Sequence, residues 1–135
     1  MNKQIFRIID ANLNRAREGL RVCEEITRFV LEDKLLTGKF KNLRHRLSKN
    51  INKLPGVGDA LLQSRESKKD IGRSIANRSK RKDYRDVFYA NIQRTEESLR
   101  VLEEFSKIFN RSLSEHFACL RFEAYNLEKK TIARL

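Results

Sequence analysis

Proline occurs once in this chain, glycine five times and tryptophan not at all. So few chain breakers, set among abundant Leu, Glu, Lys and Arg, argue against a turn-dense β architecture and favour long helices. Cysteine is equally scarce. Cys23 and Cys119 lack the spacing of a metal site and are too few for a disulfide framework, so a reduced, cytoplasmic protein is expected. No apolar run approaches the ~18 residues of a membrane span, because charges interrupt every stretch. Met1 to Asp10 lacks the unbroken apolar core of a secretory signal. The GxxxxGK[ST] phosphate loop is missing, and Gly56-Val57-Gly58 is only a fragment of a glycine-rich loop. His45 and His116 stand alone, far from any HExxH pattern.

Positive charge, by contrast, is plentiful. Thirty Lys and Arg face eighteen Asp and Glu, a net charge of +12. Such an excess suits an anionic partner, whether nucleic acid, acidic lipid or a phosphorylated small molecule. The length of 135 residues and 39% hydrophobic content fit one helical domain with a single core.

The chain also repeats itself. Residues 11–25 read ANLNRAREGLRVCEE and residues 90–104 read ANIQRTEESLRVLEE, nine identities in fifteen positions at a constant offset of 79. Phe40, Leu43 and Arg44 recur as Phe117, Leu120 and Arg121 at an offset of 77. A single duplication of long helices predicts an all-α bundle of two helical pairs related by a pseudo-two-fold, because solenoids need about three repeats. The pairs are expected over 3–54 and 83–133 of one 1–135 domain. Within them, helices are expected near 3–32, 38–54, 83–109 and 113–133. Gly38 would punctuate the first turn, and Ser112 with Glu115 would form the capping box of the last helix. A connecting loop is expected over 55–82, with a short helical turn at 59–64. From Arg65 to Arg85 it holds nine basic residues against Glu66, Asp70 and Asp83. A loop this long is either a solvated linker or a working element, here a phosphate-binding lid.

Helical projection at about 100° per residue places Ile8, Ala16, Cys23, Ile26 and Val30 on one arc of the first helix. Asn12 falls at its centre, Arg15 inside it and Glu18 at its edge. Asp10, Asn14, Arg17, Arg21 and Arg28 fall on the opposite, solvent side, and Glu24 and Glu103 are read as outward surface charge. The third helix repeats the pattern around Phe88, Leu102, Phe105 and Phe109, with Asn91 central, Arg94 inside and Glu97 at the edge. Arg44 lies in the stripe of Phe40, Leu43, Leu47 and Ile51, and Arg121 in that of Phe117, Leu120 and Ala124. Two Asn, four Arg and two Glu are thus directed into the bundle, where burial is costly unless each is paired. A structural polar network is one explanation. A ligand site is the other: four Arg outnumber two Glu, Arg binds phosphate bidentately, and Asn and Glu offer edges that read a heterocycle.

RIIDANLNRAREGLRVCEEITRF (7–29), ANIQRTEESLRVLEEF (90–105), LRH (43–45) and the intervening R-x-x-x-x-D-I-G (65–72) together resemble the alternate hydroxymethylpyrimidine phosphate kinase family. This short helical domain occurs alone or fused ahead of thiamine phosphate synthase, and here it is expected to stand alone. The resemblance covers nearly the whole chain. It implies transfer of the ATP γ-phosphate to hydroxymethylpyrimidine phosphate, giving the diphosphate used in thiamine synthesis, with magnesium. On that basis Arg15, Arg94, Arg44 and Arg121 are expected to clamp phosphates. Asn12, Asn91, Glu18 and Glu97 would orient the pyrimidine or hold magnesium-bound water. Arg65 and Asp70 would act from the lid, Asp70 as the magnesium ligand. The expected partners are a phosphorylated pyrimidine and ATP, with no membrane. The alternatives are a nucleic-acid-binding helical domain, disfavoured by inward-facing polar sets, and a non-catalytic binder of a phosphorylated metabolite. Association into a homodimer is left open.

Overall fold

The computed structural model describes residues 3–75 and 79–135. It contains five α-helices and a single 3-10 turn, with no strand among the described residues. The helices are α1 (Lys3–Phe29), α2 (Lys34–Asn52), α3 (Val57–Ser64), α4 (Tyr84–Ser106) and α5 (Arg111–Ile132). Each repeat forms an antiparallel pair, α1 with α2 and α4 with α5. The two pairs join chiefly through α1 and α4, and α3 packs on α1.

Two helix starts differ from those expected, for one shared reason. Asp33 caps α2, its carboxylate accepting from Leu36 N at 2.9 Å, so the helix begins four residues before Gly38. Gly38 lies inside the helix, and a Cβ there would meet nothing. In the second repeat Asn110 caps α5, accepting from Leu113 N at 2.9 Å. The Ser112–Glu115 capping box does not form, and Glu115 instead pairs with Arg111 on its own helix. Asp33 and Asn110 match at the offset of 77, so both repeats start their second helix with the same device. The first helix ends at Phe29, ahead of Glu32, whose φ of 51° breaks the helical course.

The core follows the duplicated pattern. Phe40, Leu43, Leu47 and Ile51 are buried on α2, as are Phe117, Leu120 and Ala124 on α5. Phe40 meets Phe88 of α4 edge to face, ring centres 6.1 Å apart, which ties the first repeat's second helix to the second repeat. On α1 the buried stripe is Ile9, Leu13, Ala16, Leu20 and Cys23, rotated from the projected arc; Ile8 is only half-buried and Val30 exposed. Helix α1 touches α2, α3 and α4, so more than one face of it is covered.

The crossing of α1 and α4 is close. A Cβ on Gly19 would lie 2.3 Å from Thr95 Oγ1 and 2.8 Å from the Asn91 carbonyl oxygen. Thr95 Oγ1 donates to Asn91 O and reaches Ala16 O at 3.5 Å. Ala16 and Thr95 are repeat partners at offset 79, so the pseudo-two-fold passes near this contact.

Candidate functional site

The duplicated sequence carries three repeat-matched arginine pairs, and the fold treats them differently. Arg44 of α2 binds Glu24 of α1 through Nε at 3.3 Å and Nη2 at 3.2 Å. Arg121 of α5 binds Glu103 of α4 through Nε at 3.2 Å and Nη2 at 3.0 Å. These are the same clasp made twice, each closing one helical pair. Arg21 reaches Glu24 and Glu25, and Arg100 reaches Glu104. Arg15 and Arg94 alone of these six have no carboxylate partner among the described residues; Arg15 Nη1 donates to Asn12 Oδ1 at 3.1 Å.

This sorting corrects several expectations. Glu24 is buried rather than outward, and Glu103 is half-buried, because each receives an arginine from the neighbouring helix. Arg44 and Arg121 are satisfied inside their own repeats and do not line the groove described below. Arg94, Glu18 and Glu97 are exposed, so the polar set faces an open groove over the α1–α4 crossing and not a sealed bundle interior. Asp10, projected to solvent, is buried, because the connector folds over it. Arg65 binds its two carboxylate oxygens from Nε and Nη2, both at 2.8 Å.

The groove has two compartments. The first, of about 640 Å³, brings together Asn12, Arg15, Glu18, Arg65, Asp70 and Arg94. The second, of about 560 Å³, contains Asn91, Arg94, Glu97 and Glu18. Asn12 and Asn91 sit alike, each donating its side-chain amide to the carbonyl four residues earlier, Ile8 O at 2.9 Å and Val87 O at 2.8 Å. That bond fixes the amide plane and leaves its oxygen side toward the groove chemistry, where Asn12 already accepts from Arg15.

The connector supplies one wall. Beyond the Arg65–Asp10 fork, Lys3 donates to Glu66 at 2.5 Å, and Asp70 accepts from Gly72 N at 2.9 Å. The lid expected over 65–82 is thus docked on α1 at its start; its residues 76–78 lie outside the described residues. Several groove residues escaped the sequence reasoning. Arg7, Asp10 and Asn14 line the first compartment and Gln93 and Arg81 the second. Asn14 and Gln93 are a repeat-matched amide pair, a signal present in the sequence but hidden because they are not identical.

A slightly larger hollow of about 700 Å³ lies between α2 and α5. Its walls are lysines 34, 39 and 130 over Leu35 and Leu127, and it holds none of the duplicated polar set. Size alone therefore does not locate the site. The groove over the α1–α4 crossing is the candidate because it carries the unpaired, symmetry-matched charges.

A twice-used Asn–Arg–Glu set lines an open groove in a duplicated, all-helical domain. The chain belongs to the ThiD2 family, whose model matches residues 7–130. It is 42% identical over 126 residues to a thiamine-phosphate synthase of Synechocystis sp. (strain ATCC 27184 / PCC 6803 / Kazusa), covering 92% of this chain and 35% of that protein. A thiamine-phosphate synthase of Prochlorococcus marinus (strain AS9601) is 39% identical over 127 residues, 93% of this chain and 34% of its own length. The chain thus spans about a third of the curated relatives it matches. No solved structure matches it.

Proposed function

We propose that this chain is a kinase of thiamine synthesis, moving the γ-phosphate of ATP onto hydroxymethylpyrimidine phosphate. The observation that carries the reading is the pair Arg15 and Arg94. They are repeat mates in one groove, without acidic partners among the described residues, while the other repeat-matched arginines are neutralised. Two unpaired guanidinium groups over a polar floor suit two phosphorylated substrates. Family membership and the thiamine-phosphate synthase relatives supply the biosynthetic context.

Phosphoryl transfer asks little covalent chemistry of a protein; positioning and charge neutralisation supply most of the rate. Arg15 and Arg94 would hold phosphate oxygens. Asn12, Asn91, Glu18 and Glu97 would orient the pyrimidine ring or the water around a bound cation. Arg65 keeps the connector against the groove through Asp10. No three His, Cys, Asp or Glu side chains converge as a metal cage among the described residues. Asp70 and Glu18 line the same compartment and form no ion pair among those residues, which fits magnesium held by one or two carboxylates and the phosphates. Bound there, magnesium would neutralise charge on the transferring phosphoryl group.

Incubation with hydroxymethylpyrimidine phosphate, ATP and magnesium, followed by ³¹P NMR, tests the reading. Equal formation of ADP and a pyrimidine diphosphate is expected. Binding of both substrates with no ADP release would leave a non-catalytic binder of a phosphorylated metabolite.

A further inference from the structure

The two compartments of the groove are repeat copies of each other. Ala11, Asn12, Asn14, Arg15 and Glu18 line the first. Ala90, Asn91, Gln93, Arg94 and Glu97 line the second, each at the offset of 79 from its counterpart. Glu18 and Arg94 line both, so the compartments share a wall. The same connector lines both, through Arg65, Glu66 and Asp70 on the first and Ser79 and Arg81 on the second. Duplication has therefore produced two adjoining half-sites of one design, and a reaction that joins two phosphorylated substrates needs two.

The half-sites have diverged in charge. The first gathers Arg7, Arg15 and the shared Arg94 with the carboxylates Asp70 and Glu18, while its Arg65 is engaged by Asp10 and its Glu66 by Lys3. The second has Arg81 beside the shared Arg94, and otherwise offers side-chain amides, Glu97 and the shared Glu18. Three guanidinium groups with two carboxylates nearby suit a triphosphate carrying a divalent cation. Two guanidinium groups suit one monophosphate, and Asn91, Gln93 and Glu97 present the donors and acceptors that read an aminopyrimidine edge.

Resting on the kinase reading above, we propose that the two substrates are divided between the repeats. The half-site of α1 takes the nucleoside triphosphate, that of α4 takes the pyrimidine monophosphate, and Arg94 at their junction holds the phosphoryl group in transit. In the step itself an oxygen of the pyrimidine monophosphate attacks Pγ. The new O–P bond forms as the bond from Pγ to the β–γ bridging oxygen breaks, and the nucleoside diphosphate leaves with that electron pair. The attacking oxygen is already an anion, so no general base is required. This removes the need for a catalytic His or Asp, and His116 is occupied elsewhere, its Nε2 3.0 Å from Arg46 O.

Calorimetric titration of the full chain with two probes separately tests the division: a non-hydrolysable ATP analogue with magnesium, and hydroxymethylpyrimidine phosphate alone. Arg7→Gln and Arg15→Gln should each weaken the nucleotide analogue about tenfold or more and leave the pyrimidine phosphate nearly unchanged. Arg81→Gln and Gln93→Ala should do the reverse. Arg7 and Arg81 provide variants at the groove's rim should Arg15→Gln or Gln93→Ala fold poorly, as thermal melts will show. If all four variants weaken the same ligand, if each weakens both equally, or if the assignments are exchanged, the division is overturned while the kinase reading survives. If the wild-type chain binds neither probe, the kinase reading itself fails and takes the division with it.

Discussion

Arg65, the first residue after α3, grips both carboxylate oxygens of Asp10 on α1 at 2.8 Å. The pair fastens the connector to the groove at a point where Asp10 is buried and Arg65 about half exposed. Solvent screening on the arginine side limits the pair, and removing either partner should cost about 1–2 kcal/mol. Arg65→Ala and Asp10→Asn should raise amide exchange across 66–70 to a similar extent. The double variant should add little, giving a coupling energy of about 1 kcal/mol. Full additivity would show that the two residues act separately.

The Glu24–Arg44 and Glu103–Arg121 clasps predict a loss of stability without loss of ligand affinity. Removing one partner of a buried pair costs about 3–5 kcal/mol, and Glu24 retains Arg21 at 3.3 Å, which lowers the figure. Arg44→Met should therefore lower stability by about 2–3 kcal/mol in denaturant unfolding. The folded fraction should bind nucleotide and pyrimidine phosphate as before. A variant that folds normally but no longer binds would return Arg44 to the site.

Gly19 is required by the close crossing of α1 and α4. Gly19→Ala gains helix propensity of about 1 kcal/mol but drives its Cβ into Thr95 and the Asn91 carbonyl, an overpacking cost of about 1–3 kcal/mol. A lower melting temperature is expected. Adding Thr95→Ala should recover only part of it, because the Asn91 carbonyl is backbone and cannot step aside. Because Asn91 belongs to the second compartment, pyrimidine phosphate binding should weaken too. Unchanged stability in Gly19→Ala would show that the crossing has slack.

Glu96 predicts an alkaline loss of stability. It is buried on α4, and burial, with a hydrogen bond to Glu128 of α5 and the charges of Glu128 and Glu97, raises its pKa to about 9. The folded chain keeps this proton between the carboxyl's ordinary value near 4.5 and about 9, whereas the unfolded chain releases it. The native state thus binds more protons, and stability from this group falls as pH rises through that window and levels off above it. The nearby Cys23 thiol, pushed up by its own burial and by Glu96 and Glu128, stays neutral throughout. Glu96→Gln should flatten the decline in melting temperature between pH 5 and about 9. An unchanged slope would place the titrating group elsewhere.

The helices and the duplication were legible in the sequence because both are read along the chain. Apolar spacing is a property of neighbouring residues and the offset of 79 one of linear sequence, so both are visible without knowledge of the fold. The same holds for Asn12, Arg15, Glu18 and their mates, whose repeated spacing put them in one groove. Gly38 and the Ser112–Glu115 pattern do not start their helices, because Asp33 and Asn110 cap them, an equivalence that shows only when the repeats are aligned through their turns.

Tertiary structure alone decided which charges are answered. Projection of one helix assumes a single buried face, but α1 is covered by α2, α3, α4 and the connector, so Asp10 and Glu24 became buried beside arginines from distant segments. Arg44 and Arg15 look alike on a helical wheel. Arg44 meets Glu24 from the neighbouring helix, while Arg15 meets no carboxylate among the described residues and bonds Asn12 on its own helix. A charge's partner depends on which elements pack against it, and that is a property of the assembled fold rather than of any stretch of chain.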